Sequence, residues 1–192
     1  HINLAASHLD LSQTTEAMQH LDDVLKLHLT ETELASTYFH LGRAHFKLED
    51  YEAVIKSMTD SISINSDNAV AFYLRAVSYT KIGLIGNHSN GGKRCRPGPA
   101  CKRADSDFAR AILINPNFLA AYADRADLRV IRGVLAFAIK DYDEIILRMP
   151  ENSNFFQRRG LINVKLGNKA EAISDLTHAV QLTPNRSDTH TN

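Results

Sequence analysis

The sequence predicts an all-α fold, a solenoid of antiparallel helix hairpins, on three observations. A phrase recurs: ADSDFARAILINP starts at Ala104, AIKDYDEIILRMP at Ala138 and AISDLTHAVQLTP at Ala172, 34 residues apart each time. Within each copy, small and apolar residues return every three or four places, the spacing of one face of a helix. Glycine near the middle of a copy and proline at its end punctuate helices at fixed points.

Sliding the 34-residue spacing along the 192-residue chain gives five units: 1–31 (without its first three places), 35–68, 69–118, 119–152 and 153–186, followed by a polar tail, 187–192. Place 4 holds His1, Tyr38, Phe72, Tyr122 and Phe156. Place 8 is always small: Ala5, Gly42, Ala76, Ala126 and Gly160. Place 20 holds Ala17, Val54, Ala104, Ala138 and Ala172, and place 24 holds Leu21, Met58, Phe108, Tyr142 and Leu176.

In each unit, places 4, 7, 8 and 11 share one face of a first helix. Places 20, 24, 27 and 28 share a face of a second. The small residue at place 8 is expected to face the small residue at place 20 and let the two helices approach. Gly83, Gly133 and Gly167, at place 15, are expected to end first helices. Pro116, Pro150 and Pro184 cannot continue the second helix, so the chain turns into the next unit. One such hairpin buries too little apolar surface to stand alone, so neighbours must stack.

This pattern resembles the tetratricopeptide repeat family over residues 1–186. The departures are mild: the first two units end in Leu29 and Ser66 instead of proline, and place 11 is weakly kept (His8, His45, Tyr79, Arg129, Asn163). The resemblance implies a right-handed superhelical solenoid of about five repeats, with first helices lining a concave groove.

Composition narrows the function classes. Hydrophobic residues make up 44% and 22 basic side chains balance 22 acidic ones, which argues against a chain built to coat nucleic acid or an acidic membrane. No apolar run is long enough to span a bilayer, and the opening HINLAASHLDLSQTT lacks a basic start and an unbroken apolar stretch. The start at His1 suggests a piece of a longer chain. Two cysteines give no disulfide framework, so an intracellular, cytoplasmic setting is expected.

A charge pair is written into the repeat. Place 7 is Leu4 and Leu41 in the first two units but Arg75, Arg125 and Arg159 in the others. Place 23 changes with it, from His20 and Ser57 to Asp107, Asp141 and Asp175. In a hairpin turning near place 15 these places come close to facing, so the expectation is three structural pairs: Arg75–Asp107, Arg125–Asp141 and Arg159–Asp175.

The third unit carries extra residues, an insertion near 85–103 rich in glycine, proline, asparagine and serine. It reads as an irregular, solvated loop at a hairpin tip. Weighed against that are metal binding by His88, Cys95 and Cys101, a basic contact through Lys93, Arg94, Arg96, Lys102 and Arg103, and a local disulfide. The cysteine spacing is looser than zinc prefers, and no metal or other cofactor is expected.

No active site emerges. Nine histidines are scattered over the helices, with no His-Glu-x-x-His pair, no phosphate-cradling glycine loop and no recognisable nucleophile setting. A binding surface remains. By the resemblance, groove positions include Phe39, Arg43, Phe46 and Lys47; Tyr73, Val77 and Lys81; Asp127 and Val130; and Gln157, Leu161 and Lys165. That mixture, apolar with a basic fringe, suits a peptide or amphipathic helix of a partner protein. The lysine and asparagine clamp by which some relatives hold a C-terminal carboxylate is absent, as is the asparagine ladder of sugar-transferring relatives. A non-enzymatic interaction scaffold is therefore the first expectation, and a structural spacer or self-associating segment the second.

Overall fold

The computed structural model describes residues 14–85 and 98–183. Every regular element among them is an α-helix: α1 Thr14–Leu25, α2 Glu31–Lys47, α3 Tyr51–Ile64, α4 Ala69–Ile85, α5 Pro99–Ile114, α6 Leu119–Ile131, α7 Leu135–Arg148, α8 Ser153–Leu166 and α9 Lys169–Gln181. They belong to two compact bodies, residues 1–121 and 122–192, with the boundary in the first turn of α6.

In the first body, α1 to α5 pack in chain order and α2 also touches α4. Local chemistry sets the helix starts. Thr30 opens α2 with a capping box: its hydroxyl accepts the Glu33 N–H, and the Glu33 carboxylate accepts the Thr30 N–H at 2.9 Å. The Asp50 carboxylate accepts the Ala53 N–H at 3.1 Å to start α3. The Asn68 side chain accepts the Val70 and Ala71 N–H groups at 3.1 Å at the head of α4.

The periodic positions supply the core. Ala17 and Leu21 of α1 bury against Ala44 of α2, with Met18 and Leu41 alongside. Val54 and Met58 of α3 bury with Ala71 of α4, flanked by Phe39, Phe46, Ile62 and Leu74. Full burial of a side chain such as Met58 contributes roughly 1.5–3 kcal/mol. A buried Ser61 hydroxyl stays satisfied by donating to the Ala35 carbonyl at 2.8 Å.

The side chain nearest to the small place 8 is that of place 24: a Cβ on Gly42 would lie 2.6 Å from Met58 Cε. Two expectations are corrected here. Helix α4 runs through Gly83 to Ile85 instead of ending at the glycine. Glycine permits a left-handed turn without compelling one, and the insertion removes the demand for a turn at place 15. Part of the insertion is also regular, because α5 starts at Pro99, where a missing N–H costs nothing at a helix head. Its Cys101 is buried and disulfide-bonded, so that side chain is not part of a solvated loop. His88, Lys93, Arg94, Cys95 and Arg96 lie outside the described residues.

In the second body, α7 packs on α8 and α8 on α9. Ala138, Tyr142 and Ile145 of α7 are buried, as are Phe156 and Ile162 of α8 and Ala172 and Ala179 of α9. A Cβ on Gly160 would sit 2.9 Å from Leu176 Cγ, which again sets place 8 against place 24. Gly133 and Gly167 take φ of 76° and 79° at the ends of α6 and α8. The Phe156 ring meets His178 edge-on at 4.4 Å, a packing role for that histidine.

Candidate interaction surface

The expected groove residues sit on the first helix of each hairpin. In the first body Phe39, Arg43, Phe46 and Lys47 stand on α2, and Tyr73, Val77 and Lys81 on α4. Their spacing of three, four and seven puts them on one face of each helix. Phe39 and Phe46 are half-buried because one side of each packs on the Val54–Met58–Ala71 cluster. Phe46 also meets the Tyr51 ring edge-on at 6.2 Å. Tyr73 lies 4.8 Å from the Phe118 ring and 6.1 Å from that of Phe108. These side chains therefore divide their area between the core and the surface. Val77 is half-buried, and Lys47 and Lys81 are exposed.

In the second body the face is more polar. Gln157, Leu161 and Lys165 are exposed on α8, Leu161 by 50%. Asp127 and Val130 are half-buried on α6. The Asp127 carboxylate is already engaged. Arg158 Nη1 donates to both of its oxygens at 2.7 and 2.6 Å, and the Tyr142 hydroxyl donates to Oδ1 at 2.6 Å. Burial, together with that carboxylate, pushes the Tyr142 phenol far above its ordinary range. Sequence alone placed Asp127 in the groove and missed the pair of side chains that occupy it.

The six charged residues at places 7 and 23 meet within their hairpins. Arg75 grips Asp107 through Nε at 2.8 Å and Nη2 at 2.9 Å. Arg125 holds Asp141 at 3.2 and 2.6 Å, and Arg159 holds Asp175 at 2.9 and 2.6 Å. Each guanidinium also lies over the place-4 ring of its own unit: Phe72, Tyr122 or Phe156, at 5.4 to 5.8 Å. Burial pushes the Asp141 carboxyl up, against the opposing pull of Arg125 and Arg129.

Residues at two other places complete these clusters. At place 11, Arg129 Nη1 donates to Asp141 at 2.8 Å and Asn163 Nδ2 to Asp175 at 3.3 Å. The signal was present as polar residues on an otherwise buried face, and read only as a loose fit to the repeat pattern it was lost. At place 25, Thr59 accepts from Arg75 Nη1 at 3.0 Å and Asp143 accepts from Arg159 Nη1 at 2.6 Å. Those bonds run to the preceding hairpin.

An open cleft of about 550 Å³ lies in the second body, lined by Ile139, Asp143, Arg159, Asn163, Glu171 and Asp175 among others. It surrounds the arginine cluster and includes none of Gln157, Leu161 and Lys165. Its charged groups are largely bound to one another, which leaves little to hold an anion or to transfer a proton. Among the described residues, no group of three or more His, Cys, Asp and Glu side chains is placed to hold a metal ion. No helix among them is long and apolar enough to cross a membrane.

Comparison with known proteins agrees with the helix-hairpin reading. A tetratricopeptide repeat family model matches residues 35–68 and 153–186. Human serine/threonine-protein phosphatase 5 is 24% identical over 110 residues, which span 57% of this chain and 19% of the phosphatase. The chain thus matches about a fifth of that relative's length. Among solved structures, YrrB, described as a tetratricopeptide-repeat protein with an unusual peptide-binding site, superposes with a TM-score of 0.76 at 18% identity, covering 96% of this chain and 86% of that one. MamA from Desulfovibrio magneticus RS-1 gives 0.74 at 17% identity, covering 94% and 91%. The phosphatase's chemistry is not carried over, and the structural likenesses speak to fold alone. Two of the units, residues 35–68 and 153–186, thus match tetratricopeptide repeats, and the fold is that of tetratricopeptide-repeat proteins.

Proposed function

We propose that the chain is a non-catalytic scaffold that takes a peptide or a helix of a partner protein along the first-helix faces of its hairpins. One observation carries the reading: Phe39, Phe46, Tyr73 and Val77 are only half-buried on α2 and α4, although their rings and methyls are large enough to fill a core. Apolar side chains held firmly on one side and open on the other suit a hydrophobic anchor from a partner. The peptide-binding description of the YrrB fold supports it. Without the lysine and asparagine clamp, recognition of a C-terminal carboxylate is not part of the reading.

Phe39 and Tyr73 also support the core, so Val77→Glu and Leu161→Glu are the cleaner probes. Both variants should melt close to the parent and recover less partner in a pull-down. Unchanged recovery by folded variants would count against the groove.

A second reading, self-association, has its own observation. Ile173 and Val180 of α9 are 67% and 73% exposed, whereas the residues at the matching places, Ile55 with Ile62 and Ile139 with Ile146, are half-buried. Light scattering that shows a strict monomer at high concentration would remove it.

A further inference from the structure

We infer that the open cleft of the second body binds a guanidinium group, supplied as an arginine side chain of a partner polypeptide. The hairpin before it shows what these places hold when they are filled from within. In the unit 119–152, Arg129 at place 11 lies over the Phe137 ring at place 19, 5.7 Å from its centroid. The same guanidinium donates to the buried Asp141 at place 23, at 2.8 Å, so that carboxylate has two arginine partners, Arg125 and Arg129. The unit 69–118 fills the same places with the stack inverted, Arg103 at place 19 over the Tyr79 ring at place 11, at 5.8 Å.

In the unit 153–186 both halves of the stack are replaced. Place 11 is Asn163 and place 19 is Glu171. Asn163 reaches Asp175 only through a 3.3 Å amide bond, which leaves that buried carboxylate one arginine partner, Arg159. The cleft of about 550 Å³ opens at this point, with Glu171 and Asp175 in its lining. A position that an arginine side chain takes one hairpin earlier is thus open to solvent here, and its acids remain.

The charges lining the cleft favour a cation. Asp143, Glu171 and Asp175 line it against a single base, Arg159, which is already shared between Asp143 and Asp175. Glu171 is exposed, and no hydrogen bond or ion pair among the described residues engages its carboxylate. Asn168, also in the lining, makes no side-chain cap bond to α9, so its carbonyl oxygen is a second acceptor. A guanidinium is flat, weakly hydrated and rich in N–H donors, and it suits several acceptors set around a half-dry cleft better than a compact, strongly hydrated ammonium does. Free arginine fits less well, because its α-carboxylate would meet the acids and find no uncommitted cation in the lining. The cleft includes none of Gln157, Leu161 and Lys165, so this site is separate from the proposed groove.

The test is a nuclear magnetic resonance titration of the isotope-labelled full chain with N-acetyl-arginine amide, its lysine counterpart and free arginine. The arginine amide should give saturable shifts of the Asn163 and Asn168 side-chain amides and of the Glu171 backbone. Glu171→Gln, at an exposed site, should weaken it about three-fold. Asn163→Arg rebuilds the arrangement of Arg129 and should abolish the saturable shifts. If that variant fails to fold, Glu171→Gln decides alone. Arginine amide binding that is unchanged in the folded variants overturns the inference, as does the absence of any saturable shift. Equal affinity for the lysine amide would show a general attraction for cations and would overturn the guanidinium assignment. Tighter binding of free arginine would overturn the polypeptide source. None of these outcomes bears on Val77→Glu in the groove.

Discussion

Arg159 on α8 and Asp143 on α7, sixteen residues apart, are joined by a 2.6 Å bond while the same guanidinium grips Asp175 of α9. One side chain thus closes its own hairpin and ties it to the hairpin before. Arg75 repeats the arrangement with Asp107 in its own unit and Thr59 in the preceding one. In a repeat protein, stability divides into terms within units and terms between neighbours. The place-7 arginine contributes to both.

The two halves of that role separate by mutation. Arg159→Ala strands the Asp175 carboxylate, whose side chain is 7% exposed, with only the longer Asn163 bond remaining. That should cost about 3 kcal/mol, near the lower end for breaking a buried pair. Asp143 is half exposed, so Asp143→Ala should cost about 0.5 kcal/mol. Urea unfolding measures both. Equal costs would mean that the pair within the hairpin is not the stronger one.

Thr59 stands at the place that Asp143 occupies two units later, and both accept from an arginine of the following hairpin. Replacing a neutral acceptor by a carboxylate makes that bond charge-assisted at an exposed site. Thr59→Asp should therefore stabilise the chain by about 0.5 kcal/mol at low salt, and the gain should fade as salt is raised. A gain that salt does not touch would need another cause.

The hairpins were legible because their core is periodic. Place 4 puts Phe72, Tyr122 and Phe156 inside, and place 20 puts Ala17, Val54, Ala104, Ala138 and Ala172 there. Apolar burial at fixed spacing survives projection onto a one-dimensional sequence. Contacts that depend on neighbouring units do not. Arg158 reaches Asp127 across 31 residues, and no position in a single repeat announces that meeting. Gly83 misled for a different reason. The residue type allows a turn, but whether the helix stops depends on the residues beyond it, and there the insertion takes the place of the usual short loop.

Glu49 fills place 15 of its unit, where Gly133 and Gly167 stand in theirs, and adopts the same left-handed backbone with φ of 57°. A side chain with a Cβ costs about 1 kcal/mol in that region, whereas glycine adopts it freely. Glu49→Gly should raise stability by roughly that amount, less a few tenths for the more flexible unfolded chain. Conversely, Gly133→Ala and Gly167→Ala should each lose about 1 kcal/mol through the backbone alone, because a Cβ at either site would meet nothing within 4 Å. Thermal denaturation of the three variants gives the answer, and a destabilised Glu49→Gly would contradict the backbone account.

Tyr142 makes a prediction about pH. Its phenol is 1% exposed, and burial together with the Asp127 carboxylate raises its pKa well above the ordinary 10.0. Below pH 10 both folded and unfolded chains hold that proton, so the group adds no pH dependence. Above it the unfolded chain releases the proton while the folded one keeps it, and stability must fall as pH rises. The slope for one proton is about 1.4 kcal/mol per pH unit. Tyr142→Phe should remove that slope, at a cost near neutrality of about 1–2 kcal/mol for the lost bond to a charged acceptor. Asp127 keeps Arg158 in the variant, which limits the loss. The difference between parent and variant in urea unfolding, tracked from pH 8 into the alkaline range, isolates Tyr142 from the other tyrosines. If the two curves stay parallel above pH 10, the buried phenol is not holding its proton.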